Sequence, residues 1–113
     1  MKFNLLILMG FLSLAACSSG GNMNKYHFSE SEKAKISGLK IDALNKNFSG
    51  QEIRWSAFKG DIRGVFTPRE TFVKNGVICR KTEEKIYNKL NLTIYYDIYC
   101  QTNEQGNWQK LPN

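Results

Sequence analysis

A chain of 113 residues is a prior for one small domain, and 42% apolar with 23% charged residues excludes wholesale disorder. Sixteen Lys and Arg against ten Asp and Glu leave a formal charge of +6. Apart from Lys2, the cations are spread from Lys25 to Lys110, and Arg80-Lys81 is soon followed by Glu83-Glu84, which excludes the concentrated basic stripe of a nucleic-acid binder and leaves a solvated basic surface or one drawn to anionic envelope components.

Residues 1–16 read MKFNLLILMGFLSLAA. Lys2 supplies a short positive start, and Leu5 to Leu14 is an apolar run broken only by Gly10 and Ser13. That pattern suits an export signal and is too short to span a bilayer as a stable helix. Small residues Ala15 and Ala16 then precede Cys17. The string Leu14-Ala15-Ala16-Cys17 resembles the bacterial lipobox. The resemblance implies diacylglycerol on the Cys17 sulfur, cleavage before Cys17 and an acyl chain on the new amine, with no other cofactor. An ordinary signal peptide cut after Ala16, leaving a bare thiol, is the alternative. Two or three acyl chains anchor stably where one binds only marginally, so the membrane itself is the first expected partner. Ser18, rather than Asp, follows the cysteine, which by the familiar sorting rule favours the outer membrane and leaves the leaflet open.

Residues 17–27 form the expected tether, with Ser18 to Asn24 reading SSGGNMN, a flexible composition. Residues 28–113 form the expected domain. Ser29 to Asn47 reads as a helix, with Ser29 and Glu32 placed for a capping box. Ile36, Leu39, Ala43 and Leu44 supply a core-facing stripe at helical spacing.

Glu52 to Phe58 alternates as a strand, Lys59-Gly60-Asp61 turns, and Ile62 to Thr67 is a second strand that Pro68 should end. Phe72-Val73 is a short apolar patch before the Asn75-Gly76 turn signal. Val77 to Tyr87 and Leu92 to Gln101 are two longer strands, and Trp108 to Leu111 closes the chain. A helix followed by consecutive strands with short links predicts an α+β domain: one N-terminal helix on an antiparallel meander of about four to five strands.

With Cys17 assigned to lipid, Cys79 and Cys100 read as one disulfide in an exported domain. A hairpin closed near Lys89-Leu90 by a two- or four-residue loop sets them directly opposite, with Cα atoms about 4.5 Å apart at a non-hydrogen-bonded pair, within disulfide reach. The alternative, a reactive redox pair, lacks the CxxC spacing. The same register sets Lys81, Glu83 and Lys85 on one face with Ile98, Tyr96 and Ile94, a mismatch that calls for a bulge or an edge strand with its stems across the apolar face.

An ordered set of residues resembles the rickettsial seventeen-kilodalton surface antigen family of outer-membrane lipoproteins: Phe28-Ser29-Glu30-Ser31-Glu32, Gly50-Gln51, Trp55, Gly64-Val65-Phe66-Thr67-Pro68, Asn75-Gly76, Cys79-Arg80, Cys100 and Gly106-Asn107-Trp108. It covers roughly residues 28–111. The chain departs from the family in having only SSGGNMNKY where a glycine-zipper segment often stands, Lys89-Leu90 where the turn usually carries glycine, and Gln101 where an arginine commonly follows the second cysteine. The resemblance implies a surface-antigen-like envelope lipoprotein and supplies no reaction mechanism.

The catalytic inventory is thin. His27 is the one histidine. No Ser/His/Asp or Cys/His arrangement, metal-ligand spacing or phosphate loop is legible, so no catalytic or metal residue is assigned. Tyr95 and Tyr99 share a strand face and, with Arg80, make either a surface for an envelope protein or glycan or a second layer under the helix. The expectation is therefore a non-enzymatic outer-membrane lipoprotein with a structural or interaction role. The alternative is a periplasmic binder or inhibitor of a cell-wall-associated protein or glycan. Neither involves nucleic acid.

Overall fold

The computed structural model describes residues 26–103 and 106–112. Helix α1 (Glu30–Lys46) precedes β1 (Ile53–Ala57), a 3-10 turn (Phe58–Gly60), β2 (Ile62–Lys74), β3 (Val77–Asn88), β4 (Asn91–Gln101) and β5 (Trp108–Lys110). The five strands form one sheet in the order β1-β2-β3-β4-β5, every neighbour antiparallel. The fold is the expected α+β meander with its helix on one face. The leader, Cys17 and the tether up to Lys25 lie outside the described residues.

The helix begins where its cap chemistry dictates. The Ser29 hydroxyl accepts from Glu32 N–H, and a Glu32 carboxylate oxygen accepts from Ser29 N–H, both at 3.2 Å. The second Glu32 oxygen accepts from Phe58 N–H at 2.9 Å, which ties the first turn of α1 to the end of β1. That bond, and then the Ser29 N–H, hold the Glu32 carboxyl below the usual carboxylate range. At the other end Asn47 N–H donates to Ala43 O at 2.9 Å and closes the last turn. Between them Ile36, Lys40, Ala43 and Leu44 face inward, a spacing of four, three and one that makes one helical stripe. Lys40 takes a place in it that composition alone assigns to solvent.

Phe28, just before the helix, meets Trp55 edge-on at 5.8 Å and stacks on Phe58 at 5.3 Å. Together with Ile36, Ala57, Ile62 and Ile86 these rings form the main core, and Ala43, Leu44 and Phe66 form a second. Trp55 pairs with Gly64 across β1 and β2, and its indole lies so close over that glycine that a Cβ there would overlap the ring.

Pro68 does not end the second strand. β2 runs on to Lys74 through a bulge, where Arg69 and Glu70 both stand against Lys81. The strand survives because Pro68 sits where its missing N–H would point away from β3. Its carbonyl accepts instead from Gly50 N–H at 2.8 Å. Beyond the bulge, Asn75 and Gly76 both take positive φ, 51° and 79°, and close a tight two-residue turn from Lys74 to Val77.

Asn88 pairs with Asn91, so Lys89-Leu90 is a two-residue turn, and Cys79 falls opposite Cys100 with Cα atoms 4.0 Å apart and the sulfurs bonded. The mismatched pairs Lys81–Ile98, Glu83–Tyr96 and Lys85–Ile94 are present in unbroken register. No bulge between β3 and β4 relieves them, because this is the face the helix leaves open.

Replacing both Cys79 and Cys100 by serine frees a loop of about 20 residues and should lower stability by about 3 kcal/mol, read as a lower urea midpoint for the serine pair.

Candidate functional site

The helix side of the sheet carries a polar network inside the core. Glu84, on β3, is 2% exposed. One of its oxygens accepts from Lys40 Nζ at 2.6 Å and the other from Trp55 Nε1 at 2.8 Å. Lys40 Nζ also lies 5.4 Å over the Phe66 ring. Both oxygens are thus committed within the fold, and the ion pair is desolvated on both sides.

Arg80 lies further along the same face, 6% exposed. Its Nη1 donates to Leu44 O at 3.0 Å and Asn47 O at 2.9 Å, and its Nη2 donates to Arg69 O at 3.3 Å. A cation on the last carbonyls of α1 satisfies acceptors that the helix cannot and opposes the negative end of its dipole. Burial pulls the guanidinium below its ordinary pKa, and Nε is buried with no hydrogen-bond partner. Tyr99 meets Phe66 edge-on at 5.9 Å and packs beside Ala43 and Leu44. Burial, then Glu84 and Asp97, push its hydroxyl well above the ordinary tyrosine range. Tyr95 packs on the main core, and burial likewise raises its hydroxyl.

Arg80, Tyr95 and Tyr99 therefore do share one face, but it is the helix face. Of the two arrangements the sequence allowed, the second layer under the helix is the one seen: Arg80 is spent on helix carbonyls, and Tyr95 and Tyr99, half-buried, rest against apolar side chains. The cysteine pair is a structural bond. Among the described residues no group of three His, Cys, Asp or Glu could hold a metal ion, and no helix is long and apolar enough to cross a membrane.

The surface available for binding is the opposite face. There β4 exposes Leu92 (50%), Ile94 (40%) and Tyr96 (71%) in alternation. A groove of about 480 Å³ runs beside Tyr96, Ile98 and Lys81. Arg69 and Glu83, paired at 2.8 Å, form part of its wall. A second groove, of about 620 Å³, wraps the β1 edge from α1 to the open face, with Lys35, Arg54, Arg63, Lys85 and Tyr87 among its walls. Arg54 is paired with Glu52 at 2.7 Å, Lys85 is 3.8 Å from Glu83, and Arg63 lies 5.6 Å over the Tyr87 ring. One end of the face is thus basic and the other apolar. The sequence held a signal for this: apolar β4 residues opposite charged β3 residues mark a face that is not core. No family model, curated protein or solved structure matches the chain.

Glu84→Ala leaves Lys40 buried without its anion and Trp55 without its acceptor, and should cost about 3 to 5 kcal/mol in a urea titration. The Tyr99 hydroxyl gives an alkaline limit. Its folded pKa lies above its unfolded value, so its contribution is intact below about pH 10 and is lost as pH rises from there through the folded value. Above about pH 10 the slope of stability against pH should be shallower in Tyr99→Phe by up to about 1.4 kcal/mol per unit. An unchanged slope would remove Tyr99 as the titrating group.

Proposed function

We propose that the chain is an outer-membrane lipoprotein of the bacterial envelope, a non-catalytic structural or interaction module held on the bilayer by lipid on Cys17. The observation that carries this reading is Leu14-Ala15-Ala16-Cys17 at the end of an apolar leader, followed by a Ser/Gly tether. A small head closed by the Cys79–Cys100 disulfide suits an oxidising compartment. The surface-antigen resemblance over residues 28–111 points the same way. The interaction surface in this reading is the open sheet face, since Arg80 is buried and Tyr95 and Tyr99 rest half-buried on the core.

A second reading is a periplasmic binder of an anionic glycan or an acidic wall-associated protein. It is favoured by the groove walled by Lys35, Arg54, Arg63 and Lys85, where Glu52 pairs with Arg54 and Glu83 stands 3.8 Å from Lys85. Such a cluster attracts anions in a salt-dependent way.

The chain expressed in a bacterium with labelled palmitate should carry the label, and mass spectrometry should find an acylated N-terminal peptide beginning at Cys17. Cys17→Ser should lose the label and leave the membrane fraction. A bare Cys17 thiol or a retained leader in the natural product would overturn the lipoprotein reading. Arg63→Glu with Lys85→Glu should abolish capture on anionic glycan if the second reading holds, and leave fractionation unchanged if only the first does.

A further inference from the structure

The sheet has two edges, and they differ. β1 is five residues long and carries Arg54, paired with Glu52. Short length and charge are the usual protections of an edge strand. β4 is covered by β5 only at Tyr99, Cys100 and Gln101. Among the described residues no strand pairs with the free side of Asn91 to Ile98. That stretch has no proline, lysine or arginine, and its one charge, Asp97, lies 3.6 Å from Lys110. Helix α1 packs chiefly on β1 and β2, and it meets β4 through Tyr99, at the end β5 covers.

The direction of the backbone groups follows from the turn. In a two-residue hairpin closed by Asn88 and Asn91, every second β4 residue from Asn91 exchanges hydrogen bonds with β3. Leu92, Ile94, Tyr96 and Ile98 must then direct N–H and C=O away from β3. Leu111 N–H indeed reaches Ile98 O at 2.9 Å from that side. Leu92, Ile94 and Tyr96 remain, with three donors and three acceptors on the free edge. These same residues expose their apolar side chains on the open face. A strand added there would find both kinds of complement at once.

We infer that the β4 edge binds a second copy of this chain, antiparallel about a two-fold axis at Ile94, joining two five-stranded sheets into one. Self-complementarity selects a second copy as the occupant. Leu92, Ile94 and Tyr96 are symmetric about Ile94, so each copy offers the other what it needs. With Ile94 facing Ile94 of the second copy, and Leu92 facing Tyr96, all six free backbone groups of each copy are used. A register shifted toward the turn leaves one residue's pair unmet, and one shifted the other way calls on the Ile98 carbonyl already taken by Leu111. The centred register also sets Asp97 beside Asn91 rather than beside another Asp, so no like charges oppose. Leu90, 99% exposed at the hairpin turn, is carried next to Ile98 and Leu111. The pairing does not depend on acylation of Cys17.

The test uses the full chain extracted from the envelope in mild detergent. Wild type should sediment at twice the monomer mass. Ile94→Lys and Ile94→Glu should each sediment as monomers with unchanged circular dichroism, because each sets like charges face to face on the axis. An equimolar mixture of the two should restore the dimer. Ile94→Cys, oxidised in the intact envelope, should give a disulfide-linked pair of this chain, and Thr93→Cys should not. The Ile94→Cys result decides the matter if a charged variant fails to fold. A monomeric wild type, a dimer indifferent to Ile94→Lys, or an Ile94→Cys adduct with a different protein would each overturn the inference. A chain that dimerises this way with a bare Cys17 would sink the lipoprotein reading and leave this one standing.

Discussion

Glu84 lies 2% exposed in the central strand with one oxygen on a helix lysine and the other on an edge-strand indole. Three elements distant in sequence meet at that carboxylate, and none of the three partners can be moved without stranding a polar group in the core. A buried ion pair adds little net stability, but it is intolerant of misalignment, since the penalty for an unpaired charge is larger than the gain from a paired one. The consequence is positional. Lys40 must face the sheet, which fixes the rotation of α1, and Trp55 must lie over Gly64 to reach Glu84, which fixes the spacing of β1 and β2. Arg80 does the same for the far end of the helix by donating to the carbonyls of Leu44 and Asn47.

Most of the fold was legible because its determinants are local. The capping box at Ser29 and Glu32, the Asn75-Gly76 turn and the opposition of Cys79 and Cys100 each depend on residues close in sequence or on one hairpin register. What was not legible depends on partners brought from afar. Lys40 reads as a solvent residue until a carboxylate 44 positions away is placed beneath it. Pro68 reads as a stop until its nitrogen is seen to lie on the side away from β3, with its carbonyl serving the Gly50 loop. The choice of sheet face was the least accessible, because Tyr95 and Tyr99 alternate as cleanly as Ile94 and Tyr96. Hydrophobicity alone favours burying the aliphatic row. The helix instead covers the face that carries Glu84, since the lysine, the indole and the arginine all need it.

The division between faces organises the functional reading. One side of the meander is closed by aromatic rings and a buried polar network in which Arg80 Nε alone, among the described residues, lacks a partner. The other keeps a basic end, an apolar end and a strand whose outward backbone groups have no neighbour in the described fold. On the closed side Lys40, Glu84 and Arg80 hold elements together, whereas on the open side charged and apolar groups face solvent.

The bond between Cys79 and Cys100 has a topological consequence. It turns the β3–β4 hairpin into a closed ring of main chain, with the outermost side chain of the ring, Leu90, almost wholly in water. A protease that cuts after Lys89 opens the ring without dividing the molecule. The two fragments stay covalently joined through sulfur, and every strand pairing on either side of the cut remains in place. Nicking at this exposed turn would therefore cost the head no mass and little of its architecture.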